Sequence, residues 1–221
     1  MFLDAVSREV ETPIEFTNGN GNGHQKSIFS PWKTWEPSRI SHHGSVCCEL
    51  AREWLFNTDM SSLNGGSLFT GPRWLRHRFE WGPGTYPIHW CGVLKKRALD
   101  CGVHAALAHE VFVRRGLKSF RAQLVQEFSG AAGSQWRSNW EKNEAMTAWI
   151  DEDRIYHEGC AVLSANKKIK VWDPSAGWWI DARTTSGYGS VLALRLSTRE
   201  QLAGIRWGSH ELRSNEWITL S

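Results

Sequence analysis

No stretch of this chain approaches the ~18 apolar residues that a membrane-spanning helix requires. Runs of five or more Lys or Arg are missing as well, and the 26 basic residues barely exceed the 23 acidic ones, for a net charge of +3. Such a weak, dispersed excess gives no reason to expect a nucleic-acid or membrane partner. Cysteine is sparse and odd in number, with five in 221 residues. Met1 is followed by Phe-Leu-Asp-Ala-Val-Ser-Arg-Glu, which has acidic residues and no long apolar core, so no signal peptide is expected. Both features argue against a disulfide framework and for reduced thiols in a cytoplasm. Nucleotide-binding glycine patterns are lacking too. Gly187-Tyr188-Gly189-Ser190 is followed by no Lys-Ser/Thr pair and no helical pattern, so no organic cofactor is expected. Cys47 and Cys48 are adjacent rather than spaced Cys-x-x-Cys, and His104 and His109 are five residues apart, on different faces of a helix. No metal site is expected from them, and His42-His43 reads as a solvated loop.

Tryptophan, by contrast, is abundant, with 14 residues against three tyrosines. Most should serve ordinary packing, but several indoles can also wall a ligand cleft. The length fits one domain, and a chain of this size buries roughly 70% of its unfolded surface without staples. Residues 1–35 read as a loosely organised extension, because Thr17-Asn18-Gly19-Asn20-Gly21-Asn22-Gly23 offers nothing to bury; Ile14 and Phe16 could still dock as a short strand. Residues 36–221 are then the body.

Within that body, Ser45–Phe56 reads as a helix with Val46, Leu50, Trp54 and Leu55 on one face. Residues 57–89 are punctuated by Gly65-Gly66, Gly71-Pro72 and Gly82-Pro83-Gly84, with room for a short helix at Trp74–Phe79. A helix is possible over Val93–Leu99. The clearest helix runs from Cys101 to Arg115. Asp100 stands at its N-cap, Val103, Leu107 and Val111 repeat along one stripe, and Gly116 falls where a left-handed C-cap belongs. Residues 118–128 alternate as a strand, 129–143 read as an exposed polar excursion, and strands are expected at Ala145–Ile150, Arg154–Leu163, Lys168–Trp172, Trp178–Ile180, Val191–Leu196 and Glu216–Leu220. Helices followed by antiparallel strands make an α+β fold.

Three residues in this layout carry chemistry. Cys101 starts a helix, where unpaired N–H groups and the positive end of the dipole favour a thiolate and can bind an oxyanion. Gly102 beside it leaves room for a substrate to approach the backbone. If the hairpin between Arg154–Leu163 and Lys168–Trp172 turns near Ala165, His157 and Asp173 stand directly opposite on one face. Asp173 would then fix the imidazole tautomer and leave the other ring nitrogen to a thiol. Cys91 ranks second as nucleophile, Cys160 alternates to the face away from His157, and Asp181 replaces Asp173 only if the later strands pair differently.

This order, a Cys at a helix start, a His on one strand and an Asp ending the next, resembles the transglutaminase-like branch of the papain-like cysteine enzymes. The stretch from Asp100-Cys101-Gly102 to Asp173-Pro174-Ser175 carries the resemblance, with gaps of 56 and 16 residues between the three. Val171-Trp172-Asp173-Pro174-Ser175 is similar to the strand end of that family. The chain departs from it in having Asp100 before the Cys and Glu158-Gly159 after the His, where the family often carries aromatics. The resemblance implies a Cys-His-Asp triad and an acyl-thioenzyme. It implies an acyl donor, such as a carrier-protein-bound thioester, and an amine acceptor, with amide formation as the outcome. Peptide or amide hydrolysis and an inert binding module of the same fold are the alternatives. Trp81, Trp90, Gly102 and Trp172 are the candidate substrate-facing residues, with Trp81 or Trp90 as a second oxyanion donor.

Overall fold

The computed structural model describes residues 31–82, 88–128, 130–142, 148–180 and 190–220. The proposed docking strand around Ile14 and Phe16, residues 145–147 of the expected Ala145–Ile150 strand, Asp181 and Gly187–Gly189 lie outside these segments, and residues 148–150 form only an isolated bridge from Trp149 to Ile155. Five α-helices are described: α1 (Val46–Leu63), α2 (Trp74–Arg78), α3 (Trp90–Val93), α4 (Cys101–Arg114) and α5 (Gly130–Lys142). The strands are β1 (Glu80–Trp81), β2 (Ala98–Leu99), β3 (Ser119–Glu127), β4 (Arg154–Leu163), β5 (Ile169–Asp173), β6 (Trp178–Ile180), β7 (Val191–Ser197), β8 (Arg206–Trp207), β9 (His210–Glu211) and β10 (Trp217–Thr219). Six of them form one antiparallel sheet in the order β10-β7-β3-β4-β5-β6. The architecture is α+β. No described helix is long and apolar enough to cross a membrane.

Helix α4 forms as its sequence dictates. The Asp100 carboxylate accepts the Val103 N–H at 2.8 Å, and at the far end Leu117 N–H donates to Phe112 O and Gly116 N–H to Val113 O, closing a Schellman motif. Its apolar stripe, Val103, Leu107, Ala108, Val111 and Phe112, packs with Cys160, Val162 and Trp172 of the sheet and Leu55 of α1. The opposite face of the sheet buries Phe120, Ala122, Leu124, Ala161 and Val171 against Leu202, Ile205, Trp207 and Leu212. The period-two alternation of β4, with Cys160 and Val162 on one face and Ala161 on the other, thus separates two cores.

Several expectations are corrected. Helix α1 extends to Leu63 and buries Cys48, Ala51, Leu55 and Asp59, whereas Val46, Leu50 and Trp54 face solvent. The inner stripe is made of two small residues, Leu55 and one carboxylate, so it is less apolar than the exposed face. That carboxylate is neutralised: Arg115 Nε and Nη2 each lie 2.6 Å from an Asp59 oxygen, and Trp74 Nε1 donates to it at 2.8 Å. Residues 130–142 form a helix rather than an excursion, with Arg137 and Glu141 paired one turn apart. The Val93–Leu99 helix is replaced by α3 and by β2, which pairs in parallel with β1. The end of the supposedly loose extension is docked: Arg195 donates to Lys33 O at 3.0 Å, and Gln123 donates to Trp35 O.

The β4–β5 turn is centred on Asn166, not Ala165. Lys167, at φ 58°, closes a three-residue loop, so each β5 residue faces a β4 residue two positions beyond the expected one. Because the shift is even, side chains keep their faces.

Candidate functional site

Cys101 is the first residue of α4 and is half-buried. Asp100 satisfies the amides of Val103, through its side chain, and of His104, through its carbonyl. The amides of Cys101 and Gly102 have no acceptor within the helix, by the geometry of any helix start.

His157 sits on β4, and its Nε2 lies 2.9 Å from Asp173 Oδ2. Cys101 acts on the same ring, since its side chain contributes to the raised imidazole pKa. With Nε2 committed to the carboxylate, Nδ1 is the nitrogen left for a thiol. The structure pairs His157 with Asp173 directly and sets Cys101 near enough to influence the ring.

Asp173 is itself held from three sides. Its Oδ1 accepts Ser175 N–H at 3.0 Å, Ser175 O–H at 2.7 Å and Ala176 N–H at 3.0 Å. The Asp-Pro-Ser segment is therefore an Asx-type turn whose local bonds aim the other carboxylate oxygen at His157. Burial resists ionisation of both partners. For His157 the Asp173 charge outweighs burial, with Cys101 adding to it, and the imidazole pKa is raised well above 6.5. For Asp173 burial is likewise outweighed, by His157 and the Ser175 and Ala176 donors, and its pKa is lowered below 3.8.

A pocket of about 300 Å³ opens beside His157. Trp81, Phe128, Trp136, Trp140 and Ile155 give it apolar walls, and Arg76, Glu80, Gln126 and Ser175 line its polar side. Trp81 and Trp140 stack at 4.5 Å, and Trp149 meets Trp140 edge-on at 6.1 Å. Cys101 is not part of this wall. Its link to the pocket is the ring of His157.

The other expected site residues fall elsewhere. Trp90 is buried in the core beside α1, with the Arg52 guanidinium over its ring at 5.8 Å. Trp172 points to the other face of β5 from Asp173 and meets Trp179 edge-on at 5.1 Å, away from the His157 pocket. Gly102 does not open onto a substrate. A Cβ there would lie 2.0 Å from Ser38 Oγ and 3.1 Å from Glu158 Oε1. Its role is to let residues 36–38 close over the helix start.

That closure rests on a buried network. Glu158 accepts Ser38 N–H at 3.0 Å, Ser38 O–H at 2.9 Å and Arg121 at 2.5 Å, while Arg121 also donates to Ser38 O and Gly102 O. The Glu158-Gly159 pair that departs from the family pattern is thus structural. Cys160 is fully buried, on the face away from His157, and its thiol pKa is pushed up to about 12 by burial. Cys91 lies in α3 rather than before a helix. His104 sets one ring nitrogen against Asp100 O and the other against Phe79 O, and His109 meets Ser119, so neither joins Cys101 in a metal site.

Two contributors were not read from the sequence. Trp136 and Trp140 come from the segment taken as an excursion, and their spacing of four was the signal. The Arg121–Glu158–Ser38 network joins residues more than 100 positions apart in part, and no local pattern announces it. No protein-family model matches the chain, and no curated protein and no solved structure matches it.

Proposed function

We propose that this protein is a cysteine acyltransferase of the transglutaminase-like kind, with Cys101 as nucleophile, His157 as base and acid, and Asp173 as the residue that orients His157. The observation that carries the reading is the His157 ring, hydrogen-bonded to a buried carboxylate, with a cysteine at a helix start near enough to raise its pKa. A raised imidazole pKa favours the imidazolium beside a thiolate, which is the attacking form.

In this scheme the Cys101 sulfur attacks the carbonyl of a thioester or amide. The tetrahedral oxyanion meets the Cys101 and Gly102 N–H groups. The Nδ1–H of His157 passes its proton to the departing thiol or amine, leaving an acyl-thioenzyme and a neutral ring. An amine acceptor then attacks, His157 takes its proton, and the amide leaves with the cysteine regenerated. The aromatic wall of the pocket beside His157 supports transfer over hydrolysis, since it favours an acceptor with an apolar part.

The test is incubation with a panel of acyl thioesters, carrier-bound ones included, followed by intact-mass measurement and peptide mapping. A single acyl adduct on Cys101, discharged faster by added amines than by water, is expected. Discharge to water alone would make the protein a hydrolase, and undiminished turnover by Cys101→Ala would remove the mechanism.

A further inference from the structure

Among the described residues, one group of His and Cys side chains outside the Cys101 site converges at metal-ligand distances: His43, Cys48 and Cys91. They come from the loop before α1, the first turn of α1 and the short α3. The Cys48 and Cys91 sulfurs are 3.8 Å apart, and His43 Nε2 lies 3.3 Å from the Cys91 sulfur and 3.9 Å from that of Cys48. A tetrahedral zinc ion with Zn–S near 2.3 Å and Zn–N near 2.05 Å has an S···S edge of about 3.8 Å and S···N edges of about 3.6 Å. The three ligand atoms therefore already stand within a few tenths of an ångström of one face of that tetrahedron.

The surroundings fit as well. His43 Nδ1 lies 3.1 Å from Ser45 Oγ, which holds the ring with its Nε2 nearest the Cys91 sulfur and the Cys48 sulfur beside both ring nitrogens. Ser45 in turn donates to the Cys48 sulfur at 3.6 Å. The His43 and His89 rings pack at 4.7 Å, holding the loop over the site. Two thiolates and a neutral imidazole balance a divalent charge.

We propose that His43, Cys48 and Cys91 form a structural site for zinc or a similar thiophilic divalent cation, which ties the start of α1 to α3. On binding, each thiol gives its proton to solvent and a metal–sulfur bond replaces it. A fourth ligand, water or a further side chain, would complete the tetrahedron.

The test is cobalt(II) titration of the full chain, demetallated and kept reduced, followed by displacement with zinc. One equivalent should give tetrahedral d–d bands with thiolate charge-transfer absorption, and zinc should bleach them. The bands should vanish in Cys91→Ser and in His43→Ala, whose exposed ring can be removed without unfolding the chain. They should persist in Cys101→Ser, which separates this site from the acyl-transfer reading. Absence of stoichiometric uptake overturns the proposal. So do bands that survive both substitutions, or a Cys48–Cys91 disulfide whose reduction leaves a chain that binds no cobalt.

Discussion

Asp173 reaches His157 along a diagonal of the sheet. The last rung of the β4–β5 ladder pairs Cys160 with Trp172, and one more step puts Asp173 across from Gly159. The carboxylate nevertheless lies 2.9 Å from His157 Nε2, two positions further along β4. Diagonal neighbours are normally too far apart for short side chains to meet directly. The long imidazole and the turn at Pro174–Gly177 together close the gap.

Gly159 sits at the centre of that diagonal. A Cβ on it would lie 2.9 Å from the Trp172 carbonyl oxygen and 3.4 Å from Val171 Cγ1, so a side chain must push the end of β5 away. Gly159→Ala is expected to cost about 1–3 kcal/mol in urea denaturation, as overpacking does. Cysteine acylation should fall further than the lost folded fraction explains, because displacement of β5 carries Asp173 from His157. Unchanged acylation per folded molecule would show that β5 can shift without loosening the pair.

The His157–Asp173 pair also sets a pH dependence. The raised His157 pKa adds stability that is complete below 6.5 and is lost as pH rises through the folded value; the lowered Asp173 pKa adds stability that is complete above 3.8 and is lost as pH falls through its folded value. Asp173→Asn removes the charge but leaves the burial, so His157 should titrate below 6.5. The stability gap between wild type and Asp173→Asn should be widest between pH 3.8 and 6.5 and narrow on both sides. Imidazole NMR titration reads the shift directly. The alkaline limb of acylation should move to lower pH in the variant, and a limb that stays in place would mean His157 is not the group that titrates.

The parts of this fold that follow local rules were legible. The N-cap, stripe and C-cap of α4 are contiguous signals, and β4 begins and ends at Arg154 and Leu163 as its alternation predicts. The His157–Asp173 contact survived an error of two in register because sheet faces repeat every two residues. Illegible features depend on distant partners. Asp59 reads as a solvent residue until Arg115 supplies its charge, and α1 was turned the wrong way for that reason. Gly102 reads as a substrate gap until Ser38 fills it. The ligands of the candidate metal site lie up to 48 positions apart, and nothing local in Cys47-Cys48 says that Cys48 is the buried one of the pair.

The Asp59–Arg115 pair is buried, with side chains 0% and 1% exposed, and fixes α1 to the end of α4. Arg115 also donates to Leu68 O and Thr70 O, so it holds the loop after α1. Arg115→Met should cost about 3–5 kcal/mol, since it strands a desolvated carboxylate as well as two carbonyls. Adding Asp59→Leu should recover part of the loss, because the stranded charge is then gone. Chemical denaturation of the wild type, both single variants and the double variant measures the coupling. Additive losses would mean that the two side chains act independently.

The stack of Trp81 on Trp140 gives the pocket its longest apolar wall and joins β1 to α5. If that wall holds the substrate, removing one ring weakens binding without touching the sulfur, imidazole or carboxylate. An aromatic contact of this kind contributes about 0.5–1.5 kcal/mol beyond its buried area. Trp140→Ala should therefore raise KM by roughly tenfold, the factor that ~1.4 kcal/mol represents, and leave kcat within about twofold. Trp140→Phe keeps a ring against Trp81 and should restore most of the KM. A fall in kcat with KM unchanged would place these indoles in support of the catalytic residues, and equal values in all three proteins would place substrate outside this pocket.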